Sequence, residues 1–188
     1  MPHRLETHLP TLIQAVREGR IIIITDLDGA LVLRKPAFHD PVPSDPYLEK
    51  NFLTLQAAGN RVAINTGRPD IFVRKLFPFA QEYMWVGTET GAHIVPPGTL
   101  TPEFKRAVEG HEELMSAFKQ YAQEYPGTII EDHKSCAITI SMAGVHSDNV
   151  LKAYNHFQHL ARQKAGDIAN IIAVHKPNID TYIEIVPH

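Results

Sequence analysis

The chain has 188 residues, 44% hydrophobic and 21% charged, a balance that suits a globular protein of one or two domains in water. Its net charge of −3 offers no electrostatic attraction to nucleic acid or to an anionic membrane, and no apolar run approaches the ~18 residues needed to cross a bilayer. The N-terminal MPHRLETHLPTLIQ lacks a signal-peptide apolar core, and a single cysteine, Cys136, forms no internal disulfide, so a reducing cytoplasm is the expected compartment.

TLIQAVREG (11–19) predicts a short helix with Leu12, Ile13 and Val16 on one face and Gly19 as its stop. IIIIT (21–25) is β-branched and apolar on both faces, the composition of a strand buried inside a parallel sheet. Residues 33–46 carry four prolines and predict an irregular flap. A helix follows, capped by Ser44 or Asp45, with Pro46 at its first position, Leu48, Phe52 and Leu55 on one face, and Gly59 beyond its end. RVAIN (61–65) predicts a second buried strand, PDIFVRKLF (69–77) a helix, and YMWVGTETGAHIV (83–95) a third strand and a turn. This alternation with short links implies an α/β class: a Rossmann-like, doubly wound parallel sheet.

After Pro96-Pro97-Gly98 the pattern changes. PEFKRAVEGHEELMSAFKQYAQEY (102–125) predicts one long amphipathic helix. TIIEDHKSCAITISMA (128–143) predicts a hairpin turning near His133-Lys134. Ser147 or Asp148 caps a helix with Leu151, Tyr154 and Leu160 on one face, and two strands flank Lys176-Pro177-Asn178. Helix, two strands, helix, two strands is an α+β layer. The predicted boundaries are therefore residues 1–96 for the first domain and 97–181 for an inserted second one, with 182–188 returning to the first.

In an open α/β sheet, ligands bind beyond the carboxyl ends of the strands. Asp26 and Asp28 lie at that end of the first strand and Thr66-Gly67-Arg68 at that end of the second, so both should face one crevice. Two neighbouring carboxylates suit Mg²⁺, which binds through one or two carboxylates plus substrate phosphate, and a carboxylate can also act as a nucleophile through an aspartyl-phosphate. Thr66, the backbone at Gly67 and the helix start at Pro69 offer anion donors, and Arg68 adds a fork matched to phosphate. The chemistry indicated is phosphoryl transfer.

The same residues carry a resemblance. DLDGA after an apolar strand resembles the first motif of the haloacid dehalogenase superfamily of phosphatases and phosphomutases, with Ala30 where Thr or Val is usual, and INTGRP resembles its second. GTETGAHIV is similar to the segment that precedes a large inserted cap. Within that group, YPGTIIEDHKSCAITI resembles the cap hairpin of trehalose-6-phosphate phosphatases, with Ile140, Ser141 and Met142 where those enzymes have His-Tyr-Arg, and YIEIVPH resembles the stretch that re-enters the core. The resemblance implies that Asp26 is the nucleophile and a Mg²⁺ ligand. It makes Asp28 the general acid/base, its backbone carbonyl also on the metal, and Thr66 a phosphoryl ligand. It implies a phosphorylated sugar as the small-molecule partner; the charge balance points to neither nucleic acid nor membrane, and a first strand left at an edge would invite a homodimer. The family's third motif, a Lys, and its acidic fourth motif would fall after His188. The resemblance thus implies an incomplete core, a fragment or shortened member. Such a chain is expected to bind Mg²⁺ weakly, hydrolyse phosphoesters slowly or not at all, and leave the first strand at a sheet edge.

Each site residue has a plainer reading as well. Arg68 can pair with Asp70, and Glu131 and Lys134 can be solvated hairpin charges rather than contacts to sugar hydroxyls. Glu89 reads as a turn residue rather than a ligand, with a place in the cleft as the alternative, Cys136 as core in an alternating strand, and His156 and His159, one helical turn apart, as a pair without the further ligands that zinc needs. At the level of function, a non-catalytic remnant that binds phosphate, sugar phosphate or a partner is the alternative to the phosphatase. A two-component receiver domain is a third reading, disfavoured by its different acid arrangement and lack of a cap.

Overall fold

The structure, a computed structural model, describes residues 5–28, 30–32, 47–176 and 180–188. In chain order the first layer comprises α1 (Leu5–Arg17), β1 (Ile22–Thr25), α2 (Tyr47–Ala57), β2 (Arg61–Asn65), α3 (Asp70–Leu76), α4 (Ala80–Tyr83), β3 (Trp85–Thr88), β4 (His93–Val95) and β5 (Phe104–Lys105). The second comprises α5 (His111–Ala122), β6 (Ile129–Ile130), β7 (Ile138–Ser141), α6 (Ser147–Ala165), β8 (Ala169–Lys176) and β9 (Asp180–Pro187). The 33–46 flap and the Ser44, Asp45 and Pro46 helix start lie outside the described residues, as does the 177–179 turn.

The first sheet has the order β1-β2-β3-β4-β5, with β1, β2 and β3 parallel and β4 and β5 antiparallel to their neighbours. Ile23 pairs with Val62, Thr25 with Ile64, and Ile64 with Val86. This face packs under Phe52, Val73 and Phe77 to form one apolar core. Buried Asn60 ties α1 and α2 to the start of β1, its amide donating to the Val16 and Leu55 carbonyls at 2.8 and 3.0 Å. β1 has the composition of an interior strand but lies, as expected above, at a sheet edge. Among the described residues it has a neighbour on one side only, and Ile22 and Ile24, on the opposite face, are 66% and 69% exposed.

The second sheet, antiparallel throughout, has the order β6-β7-β9-β8. Its inner face, with Ile138, Ile140, Ile183 and Ile185, packs on Phe118 of α5 and Phe157 of α6 in a second core. Three expectations are corrected here. The long helix predicted over 102–125 begins only at His111, because Phe104 and Lys105 pair with Ile94 and His93, and Gly110 (φ 64) intervenes. Residues 182–187 do not return to the first layer. Tyr182, Ile183 and Glu184 pair with β7 and β8 on both sides, the central place in the second sheet. The cap of α6 is His146, with no side-chain hydrogen bond, rather than Ser147 or Asp148, and its buried face is Ala153, Phe157, Leu160 and Ala161 while Leu151 is exposed.

Candidate active site

A cavity of about 410 Å³ lies between the layers, lined on one side by Asp26, Asp28, Thr66, Gly67 and Arg68, and on the other by Glu131, His133, Lys134, Thr139 and Glu184. The first wall exists because β1 and β2 are parallel neighbours that end together: Thr25 pairs with Ile64, so the next residues of both strands emerge at the same sheet edge. Asp26 is exposed, one oxygen accepting the Leu27 N–H at 2.7 Å. Asp28 is engaged by Arg68, whose Nε and Nη2 reach Oδ2 and Oδ1 at 2.6 and 2.7 Å, a bidentate charge-assisted pair. That hydrogen bond is the main reason the guanidinium pKa is raised, against the opposing effect of burial. Asp70 instead pairs with Arg74, so the expected Arg68–Asp70 alternative is not formed. Arg68 also stands 5.6 Å from the centre of the Phe72 ring. Buried Thr66 turns its hydroxyl oxygen to the Arg68 N–H at 3.2 Å.

The second wall is built by the β6–β7 hairpin and β9. Lys134 is not a solvated hairpin charge: its side chain is 4% exposed, and Nζ donates to Glu184 Oε1 and to Thr139 Oγ1, both at 2.6 Å. Glu131 lies 3.5 Å from the same nitrogen. Burial pushes the Glu131 carboxyl pKa up, with Lys134 opposing. Glu184 and Glu89 are the residues that sequence reading underrated. The signal for Glu184 was present in YIEIV, a lone acid in an apolar strand, on the face opposite Ile183 and Ile185. Glu89 is buried and accepts hydrogen bonds from the backbone of Ser135, Cys136 and Ala137. Cys136 is buried just ahead of β7 rather than within it. His156 packs against Tyr121, Tyr125 and Phe157, and it and His159 gather no third metal ligand among the described residues.

No protein-family model and no curated protein matches the chain. Solved structures do. The C-terminal domain of C. albicans trehalose-6-phosphate phosphatase superposes with TM-score 0.72 at 20% identity, over 95% of this chain and 61% of that one. A haloacid dehalogenase-like hydrolase from Bacteroides thetaiotaomicron gives 0.64 at 14% identity, over 89% and 71%. This is the haloacid dehalogenase fold. An Aspergillus fumigatus trehalose-6-phosphate phosphatase shares it with TM-score 0.53 at 18% identity, over 93% of this chain and 65% of that one. The chain thus spans less than two thirds of either phosphatase structure. In haloacid dehalogenase terms, the first layer is the core side of the cavity and the second the cap side.

Whether Mg²⁺ suits this cavity is decided by its donors. Asp26 supplies an accessible hard carboxylate, and Asp28, two residues on, a second one whose two oxygens accept from Arg68 in this structure. Among the described residues no group of three or more His, Cys, Asp or Glu converges. A closed zinc cage needs such a group; Mg²⁺ does not, since it keeps several waters beside one or two carboxylates and substrate phosphate. The residues fit Mg²⁺.

Proposed function

We propose that this chain belongs to a Mg²⁺-dependent phosphatase that hydrolyses a sugar phosphate, with trehalose-6-phosphate among its substrates. The observation that carries the reading is the convergence of Asp26, Asp28, Thr66 and Arg68 from two adjacent strand ends on one cavity wall, facing Lys134, Glu131 and Glu184. Asp26, with Asp28, would hold the ion, which supplies charge that offsets repulsion between a carboxylate and a phosphate. Thr66 and Arg68 would bind the phosphoryl oxygens, Arg68 turning its two donors from Asp28 to the ester. The Asp26 carboxylate attacks phosphorus, the bond to the sugar oxygen breaks, and that oxygen takes a proton from Asp28. A water then gives its proton to Asp28 and attacks the aspartyl-phosphate, releasing phosphate and restoring Asp26. The cap-side acids and Lys134 would meet the sugar hydroxyls. The cavity supports this division because its phosphate-matched groups and its hydroxyl-matched groups stand on opposite walls.

A second reading is favoured by one observation: both oxygens of Asp28 are occupied by Arg68. On that reading the protein binds phosphate or sugar phosphate without turning it over. Phosphate release from a panel of sugar monophosphates, with and without Mg²⁺, tests the first. Asp26→Asn should reduce release to background while circular dichroism stays unchanged. Substantial turnover by that variant, or preference for nucleotides or phosphoproteins, overturns the proposal; calorimetric binding of trehalose-6-phosphate without release selects the second reading.

A further inference from the structure

Glu89 lies in the turn between β3 and β4 and is 2% exposed. It and Thr90 have φ values of 51° and 61°, a left-handed conformation uncommon for two successive non-glycine residues. The turn is held from both sides of the cavity. The Glu89 N–H donates to the Arg68 carbonyl and the Thr90 N–H to the Thr66 carbonyl, both at 3.1 Å. The Glu89 carboxylate crosses to the cap. There it accepts the Ser135 N–H at 3.0 Å on both oxygens, the Cys136 N–H at 2.6 Å, the Ala137 N–H at 2.9 Å and the Ser135 hydroxyl at 3.2 Å. Three consecutive amides converging on one anion form a backbone nest, and bonds to an ionised acceptor are about twice as strong as neutral ones. Thr90 adds a second crossing, its hydroxyl donating to Glu184 at 3.3 Å.

The residue next to that nest is Lys134, and the residues hung on the other side of the turn are Thr66 and Arg68. We propose that Glu89 is a positioning residue, a pin that fixes the Lys134-bearing loop of the cap against the Thr66–Arg68 loop of the core and so sets the width of the cavity. Its bearing on turnover rests on the phosphatase reading above; the pin itself does not. A sugar phosphate must touch both loops at once, so their separation enters its binding directly. Gln at this position keeps the shape but replaces one acceptor with a donor aimed at the amides, which opens the nest without removing the side chain.

Hydrogen exchange tests the pin without any substrate. In the unaltered chain the Ser135 amide, in an exposed residue, should exchange at least tenfold more slowly than those of exposed Asp132 and His133, since Glu89 alone accounts for its bond. Equal exchange at these three amides overturns the proposal even if no variant folds. In Glu89→Gln, the 135–137 amides should lose that protection while β7 and β9 keep theirs; uniform loss across both layers would show a purely structural role and overturn it. On a hydrolysed sugar phosphate, Glu89→Gln should raise KM about tenfold and change kcat less than threefold, with Glu89→Asp intermediate; an unchanged KM overturns it. A chain that neither binds nor hydrolyses any sugar phosphate refutes the phosphatase reading, and the exchange data then decide the pin by themselves.

Discussion

Replacing Lys134 by methionine removes the cation from the cap-side cluster while keeping an unbranched stem. The Lys134 side chain is 4% exposed and that of Glu184 11%, so this is a desolvated pair rather than a surface one. Without the ammonium, Glu184 faces Glu131 with no positive charge between them, and Thr139 loses the donor at 2.6 Å. Removing one partner of a buried ion pair costs about 3–5 kcal/mol because the other charge is left uncompensated. Glu131 keeps 23% of its exposure and can draw on water, which places the expected loss at about 3 kcal/mol, the lower end of that range. For a chain of this length each kcal/mol moves the midpoint of thermal unfolding by about 2–4 °C, so a fall of roughly 6–12 °C is expected. The double variant Lys134→Met, Glu184→Met should recover more than half the loss, because an apolar pair of similar volume often replaces a buried ion pair at little cost. Urea unfolding of the two single variants, the double variant and the parent, read at constant slope, closes the cycle. A Lys134→Met variant within about 0.5 kcal/mol of the parent would place the pair in the solvated class and refute the reasoning. So would a double variant no better than Lys134→Met.

Glu131 gives a pH dependence. Its raised carboxyl pKa means the folded chain holds a proton that the unfolded chain has released, so stability falls as pH rises from the ordinary value of 4.5 through the raised one. Glu131→Gln removes that slope, and urea midpoints at acid and at mildly alkaline pH should shift in the variant's favour between the two; a constant gap refutes it. Gly127 and Gly67 should behave oppositely. A Cβ at Gly127 (φ 93) would sit 1.8 Å from the Gly144 carbonyl oxygen, whereas one at Gly67 meets nothing nearer than 3.7 Å. Gly127→Ala should therefore cost more than about 1 kcal/mol, and Gly67→Ala should leave the unfolding midpoint nearly unmoved, both read by thermal denaturation. Finally, the edge of β1 that has no neighbour among the described residues, with Ile22 and Ile24 exposed, should promote association of this 188-residue chain with itself. Sedimentation over a concentration series checks this, Ile24→Lys should weaken it, and a parent that is monomeric throughout refutes it.

The strands β1 and β2, the hairpin of β6 and β7, and the placement of Asp26, Asp28 and Thr66 beyond strand ends were legible in the sequence. Each depends on a local property: β-branched composition, a period of two, or a polar motif just past an apolar run. The resemblance of DLDGA and INTGR to known motifs rests on the same short-range patterns. What the sequence alone left undecided concerns partners distant along the chain. Lys134 became a buried cation because Glu184, 50 residues later, lies beside it in the second sheet. Glu89 turned from a turn residue into a clamp because amides 46 to 48 residues away converge on it. Phe104 joined a sheet rather than a helix because Ile94 offered a ladder, a competition that helical periodicity does not register. Residues 182–187 entered the second sheet because β8 bonds them along one side and β7 bonds 182–185 along the other. Local pattern decides which backbone a segment favours; burial, charge pairing and strand neighbours are energies of contact, and those exist only once tertiary structure has brought the remote residues together.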